Sequence, residues 1–264
     1  MATLTGMEQR TSDGSAGDAD YAVIGTSYAG YRQPDPRLAA AITAALGDAR
    51  SVLNVGAGTG SYEPVDRDVT AVEPSAAMRA QRPPQLPSAV DATAEDLPFQ
   101  DATFDASMAT FSVHQWQDVE AGLREMRRVT RGPVVILTCD PRLVDRFWLT
   151  EYAPEVISTE ARRYPALGVL ASALGGRTTS RSIPIPLDCT DGFHESYYGR
   201  PEALLDPHAR LSCSAWSFVP DEVRDRFVRE LRRDLDSGAW DEKHGALRSL
   251  PAYEGSLVLV VSER

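Results

Sequence analysis

The stretch SVLNVGAGTG, residues 51–60, sets an apolar run of strand character directly against three glycines at alternate positions. Glycine tolerates positive φ, and its missing Cβ lets backbone come close to a ligand. In open α/β sheets, ligands rest beyond the carboxyl ends of the strands, at the point where strand order reverses. A strand ending in Gly56, Gly58 and Gly60 therefore predicts such a sheet with a ligand over its first loop.

The flanking sequence supports a sheet. VTAVE, SAVDA, FDASMATF and VVILTC read as further short strands, and SIPIPLD and SLVLVVS follow later, seven in all with SVLNVG. Helical stretches alternate with the earlier ones. In DPRLAAAITAALGDAR, Leu38, Ile42, Ala45 and Leu46 share a face and Gly47 is a stop signal. In DVEAGLREMRRVT, Val119, Leu123, Met126 and Val129 share a face. This alternation predicts an α/β fold: a doubly wound, mostly parallel seven-stranded sheet with helices on both faces. After Asp140 the pattern breaks up into short helices and loops rich in aromatic residues, a small irregular cap. DEVRDRFVRELRRDLDSG then reads as an amphipathic helix with Val223, Phe227, Leu231 and Leu235 on one stripe.

These shifts predict a disordered tail over residues 1–20, a ligand-binding core over 21–140, a cap over 141–230 wrapped around a further core strand, and a return to the core over 231–264. The chain has 264 residues and a net charge of −11, and Lys243 is the single lysine among its 27 basic residues. Such a chain is a poor partner for nucleic acid, whose binding rests on neutralising phosphates. Residues 1–20 lack a charged segment followed by an apolar one, and no run of about 18 apolar residues occurs, so a cytoplasmic protein, monomeric or homodimeric, is expected. Cys139, Cys189 and Cys213 are too dispersed for a disulfide framework or a zinc knuckle.

The glycine spacing separates the candidate nucleotides. A P-loop needs G-x-x-x-x-G-K-[ST], which a chain whose only lysine is Lys243 cannot supply there. The dinucleotide pattern G-x-G-x-x-G places its third glycine on Ser61 and fails by one residue. What remains is G-x-G-x-G with Glu73 at the end of the next strand, a carboxylate able to accept hydrogen bonds from both hydroxyls of a ribose.

Taken together, LNVGAGTG, VEPSAAM, ATAEDLPF, FDASMATFSVHQW and GLREMRRVTRGPVVILT resemble, in order and interval, the class I S-adenosylmethionine-dependent methyltransferases, especially the small-molecule methyltransferase type 11 group. The resemblance covers roughly residues 21–140 and implies a Rossmann-like fold. It implies S-adenosylmethionine as cofactor and S-adenosylhomocysteine as product. By position, Gly56, Ala57 and Gly58 would underlie the methionine and ribose, Glu73 would hold the ribose, and Pro74, Ser75 and Met78 would line the adenine edge. Thr93, Ala94 and Glu95 would hold adenine, with Thr110 and Phe111 beside the reactive methyl. TSYAGYRQPDPRL is similar to the helix that closes over the cofactor, suggesting Tyr28 and Arg32, with Tyr31 as a rival. Many members carry an acid where this chain has Asn54, so the acidic contact under the cofactor's ammonium is expected to be weakened or water-mediated here.

The acceptor is expected to be a small, largely apolar or aromatic molecule, because Phe147, Trp148, Tyr152, Phe193, Tyr197, Tyr198, Trp216 and Phe218 gather in the part of the chain the sheet does not need. The bland alternative is that these aromatics form the cap's own core. His114 is the expected proton acceptor if the nucleophile is a hydroxyl, though buried histidines are more commonly structural. Trp116, Trp148, Tyr197 and Arg200 are the expected acceptor contacts. HESYY lacks the second histidine of a metalloprotease motif, so no metal site is expected. The competing functions are an RNA or protein methyltransferase, a non-catalytic protein that binds the cofactor, and a nicotinamide-dependent oxidoreductase.

Overall fold

The computed structural model describes residues 30–264; Tyr28 and the N-terminal tail lie outside the described residues. Four parallel strands form the core of the sheet: β1 (Ser51–Val55), β2 (Asp68–Val72), β3 (Ala106–Thr110) and β4 (Val134–Cys139). The last strand of the chain, β8 (Leu257–Glu263), runs antiparallel between β4 and β5 (Arg177–Ser182), giving the order β2-β1-β3-β4-β8-β5. Strand order reverses between β1 and β3, which puts the loop after β1 at the crevice.

Among the described residues the sheet has six strands rather than seven. SAVDA contributes one bridge, Val90 to Val72, held by the Glu73 N–H donating to the Val90 carbonyl and the Val90 N–H donating to the Ala71 carbonyl. With Pro87 before it and Val90 as its single large apolar residue, this segment cannot extend the ladder. SIPIPLD gives Ser182 to the end of β5, and otherwise only Ile185–Pro186 is a strand (β6), which pairs with β7 (Ala252–Tyr253) outside the main sheet. Its expected place belongs to RTTSRS, a strand with almost every residue exposed, which lacks the apolar alternation that marks a half-buried strand.

Period-2 geometry sends alternate residues of a strand to opposite faces. On one face Val135, Leu137 and Cys139 of β4 meet Leu38 and Ile42 of helix α1 (Pro36–Ala45). On the other, Val134 and Ile136 meet Leu123, Met126 and Val129 of helix α3 (Val119–Val129). The short helix α2 (Ala76–Ala80) lies between β2 and β3 in sequence. Each helix start carries its own device. Asp35 accepts from the Arg37 N–H ahead of Pro36, and Asp118 accepts from the Ala121 N–H.

The polypeptide between β4 and β8 supplies helices α4 (Pro154–Arg163), α5 (Leu167–Leu174), α6 (Pro207–Leu211), α7 (Asp221–Ser237) and α8 (Ala239–His244). Its apolar side chains join the two clusters instead of forming one of their own, most of them the first, with Leu170 and Leu174 of α5 in the second. Trp148 packs edge-on against Tyr152 and Trp240, and Trp216 packs at a tilt against Phe227, all within the cluster that holds Val135 and Leu137. Among the described residues no helix is long and apolar enough to cross a membrane.

Candidate active site

The loop after β1 is anchored before any ligand is considered. The Ala57 N–H donates to the Val72 carbonyl at 2.9 Å, and Ser112 Oγ donates to the Val55 carbonyl at 2.9 Å, tying the ends of β1, β2 and β3 together. Gly56 has a φ of 67°, and a Cβ there would lie 2.6 Å from Ser112 Cβ. Both the backbone conformation and the space therefore demand glycine at this position.

Glu73, just past β2, is buried with its carboxylate facing the loop. The Gly58 N–H donates to Oε2 and the Ser75 N–H to Oε1, each at 2.8 Å. Arg79 Nη1 fixes the backbone by donating to the Glu73 carbonyl at 2.7 Å. Burial pushes the carboxyl pKa up, against the backbone N–H groups and the nearby Arg79 and Arg82 that pull it down. A carboxylate oxygen has two lone pairs, so each oxygen retains capacity for one further donor.

These groups border a cavity of about 640 Å³. Its wall contains, all from the sequence-derived set, Arg32, Gly56, Ala57, Gly58, Glu73 and Pro74, together with Met78, Thr93, Ala94, Glu95, Thr110, Phe111 and Trp116. Trp116 sits close to Gly56, Ala94 and Gly122, where a Cβ on Gly122 would collide with the indole at 2.7 Å. It thus belongs to the part of the wall shared with Ala94. Phe111 adopts a φ of 51° and stacks at 5.2 Å on Phe193, with the Arg32 guanidinium 5.0 Å above its ring.

Four expected residues are absent from this wall. His114 is buried and packs on Tyr164 at 4.7 Å, with Nδ1 unpartnered. Burial, reinforced by Arg163, holds its pKa down at about 3, against a smaller opposing pull from Glu160. A ring in this position neither reaches the cavity nor takes up a proton readily. Trp148 is core, its Nε1 donating to the Tyr198 carbonyl at 3.1 Å. Arg200 donates to the Cys189 and Ser196 carbonyls, and lies 5.6 Å from the buried Tyr197 ring. For the three cap residues the reason is shared: the cap aromatics face the sheet's apolar cluster, the alternative weighed from composition, and Arg200 serves the backbone beneath them.

The wall also includes residues that no motif had marked. Tyr62, at a φ of 66°, donates its hydroxyl to Asp191 Oδ2 at 2.8 Å. Arg32 Nε donates to Asp191 Oδ1 at 2.5 Å, and Arg32 Nη1 to the Ser212 carbonyl at 3.5 Å. Gln115 is held by Arg163, whose Nη2 donates to its Oε1 at 2.6 Å. Asn54, by contrast, is fully buried and off the wall. Its Nδ2 donates to Glu63 Oε1 at 3.0 Å, and Glu63 is in turn neutralised by Arg82 at 2.9 Å.

A family model of the methyltransferase domain matches residues 53–136. No curated protein matches the chain. A solved structure from Anabaena variabilis, described as a methyltransferase from an antibiotic biosynthesis pathway, is 28% identical. The match covers 89% of this chain and 99% of that one, with a TM-score of 0.82. A SAM-dependent methyltransferase from Thermotoga maritima is 16% identical over 92% of this chain and 91% of that one, with a TM-score of 0.50. The (4+2)-cyclase SpnF is 15% identical over 92% and 93%, with a TM-score of 0.52. The last two share the fold with this chain.

Proposed function

We propose that the chain, whose residues 53–136 match the model of a methyltransferase domain, is a class I S-adenosylmethionine-dependent methyltransferase that methylates a small molecule held in the same cavity as the cofactor. The observation that carries this reading is the cavity itself. It runs as one space of about 640 Å³ from Glu73 and Thr93–Glu95 to Phe111, Arg32 and Asp191, within the range of small-molecule sites. The cofactor fits the residues present. The loop is bare of Cβ where backbone must come close, and both oxygens of Glu73 can take a ribose hydroxyl. Gly56, Ala57 and Gly58 then lie under the methionine and ribose. Pro74, Met78, Thr93, Ala94 and Glu95 surround adenine, and Thr110 and Phe111 flank the transferred group.

When bound, the cofactor supplies a methyl group already activated by its sulfonium. The protein's work is alignment. Phe111, locked by its backbone and by Phe193, borders the acceptor end and excludes water. Positioning of this kind contributes about 7–11 kcal/mol to such reactions. In this reading His114 takes no proton, and the nucleophile is one that attacks without a histidine base. The acceptor has an apolar or aromatic face matched to Phe111, and a role in specialised metabolism agrees with the likeness to the Anabaena protein. Residues 141–230 act as the cap over this end.

The test is to incubate the protein with methyl-labelled cofactor and an extract of its host, then separate products by size. Label in a compound of low molecular mass supports the reading. Label confined to RNA or protein overturns it.

A further inference from the structure

We propose that Asp191, together with Arg32, forms the binding site for the zwitterionic amino-acid tail of the cofactor, so that the acid facing the tail's ammonium comes from the cap. This inference rests on the cofactor reading above and assigns a residue that no motif contains.

The carboxylates of the site divide by their partners. Three line the cavity: Glu73, Glu95 and Asp191. Glu73 is fixed at the end of β2 by the Gly58 and Ser75 N–H groups, where a ribose would lie. Glu95 accepts from the Asp118 N–H at 3.0 Å, on the side of Thr93 and Ala94. Glu63 is off the wall and neutralised by Arg82, and Asn54, near the carboxyl end of β1, is uncharged and off the wall as well. Asp191 is the carboxylate left at the end of the cavity formed by Tyr62, Phe111 and Arg32, and Arg32 is the sole basic side chain among the described lining residues.

The tail of S-adenosylmethionine carries an ammonium and a carboxylate one carbon apart. A site offering one charge would leave the other uncompensated in a partly dry cavity. An acid and a guanidinium side by side match both, and they neutralise one another when the site is empty, so no buried charge stands alone. The surrounding backbone is built around this pair. Tyr62 and Phe111 are two of the three non-glycine residues with positive φ among the described residues, and each touches it. Tyr62 does so through its hydroxyl on Asp191, Phe111 through its ring beneath Arg32. Strain of this kind persists where surrounding structure holds it, and it clusters at ligand clamps. The pair also joins two distant segments, since the Gly192 N–H donates to the Tyr31 carbonyl at 2.8 Å and Tyr31 donates its hydroxyl to Asp206 at 2.5 Å. A molecule bridging Asp191 and Arg32 would thus be gripped by the cap and the N-terminal segment at once.

The test compares two nucleosides by calorimetry: S-adenosylhomocysteine, which has the tail, and 5′-methylthioadenosine, which keeps the adenosine and thioether but lacks it. Asp191→Asn is expected to weaken S-adenosylhomocysteine at least tenfold and methylthioadenosine less than twofold. Arg32→Gln, which breaks the same pair from its more exposed member, is expected to do likewise, and the double variant to lose less than the sum. Retained methylthioadenosine binding certifies a folded site. Unchanged S-adenosylhomocysteine affinity in both variants, or equal weakening of both nucleosides in both, overturns the assignment and leaves the pair as scaffolding. Failure of the unaltered protein to bind either nucleoside would instead overturn the cofactor reading on which the inference stands.

Discussion

Glu73 Oε2 accepts the Gly58 N–H at 2.8 Å, so the acid at the end of the second strand and the bare loop at the end of the first are a single hydrogen-bonded unit before any ligand arrives. Replacing Glu73 by alanine removes both the acceptor for a bound ribose and a support of the loop. Hydrogen bonds to charged groups contribute about 1.5–3 kcal/mol. S-adenosylhomocysteine affinity should fall at least tenfold in calorimetry of the folded Glu73→Ala protein. An unchanged affinity would remove Glu73 from the site.

Gly56→Ala should cost both stability and binding. Its φ of 67° is unfavourable for alanine, and the added methyl would press on Ser112 at 2.6 Å. Strain and displacement together are expected to cost about 1–3 kcal/mol, visible as a lower melting temperature together with weaker cofactor binding. A variant with wild-type stability would show that the loop relaxes freely.

His114→Ala is expected to behave as a core truncation. The ring packs against Tyr164 and does not line the cavity, so the loss should appear as about 2–4 kcal/mol of stability, measured by denaturant unfolding. Turnover per folded molecule should stay within a few-fold of wild type across pH 6–9. A collapse of kcat with intact folding would restore a proton-transfer role.

Glu195 gives the protein a pH-dependent stability. Burial raises its carboxyl to about 7, although the Ser256 N–H and hydroxyl donate to it at 2.9 Å and pull the other way. Because the folded-state value lies above the unfolded one, the folded protein holds a proton that the unfolded chain has released. The stabilisation is complete below the unfolded pKa of about 4.5 and is lost as pH rises through about 7. At about 1.4 kcal/mol per unit the whole effect is on the order of 3 kcal/mol. Glu195→Gln should flatten urea-unfolding stability between pH 5 and 7; an undiminished slope would assign it to other groups.

The glycine loop, Glu73 and Thr110–Phe111 were legible in the sequence because each is a short contiguous motif at the carboxyl end of a strand, Thr93–Glu95 because it is part of a contiguous motif of its own, and all lie on one cavity wall. Asp191 was not, since its partners Arg32 and Tyr62 stand 159 and 129 residues away and meet it only in the folded chain. The cap aromatics were visible as a set, but composition carries no direction. Trp148 and Tyr198 face the sheet's cluster, and nothing local distinguishes that from facing a ligand. Among strands, VVILTC was unmistakable because both faces are buried, whereas RTTSRS hid because its ladder to β8 is made by backbone while its side chains meet solvent.

The placement of β8 between β4 and β5 has a consequence for biosynthesis. Synthesis runs from the N-terminus, and 118 positions separate Cys139 from Leu257 (257 − 139), so at about 5–20 residues per second the edge of β4 waits on the order of ten seconds for its neighbour. Throughout that interval the nascent chain presents an unpaired apolar strand, the kind of edge that recruits other strands. Since β5 pairs only with β8, it cannot cover β4 in the meantime. Leu257–Glu263 must therefore emerge before the sheet can close, and losing that segment would delete an interior strand.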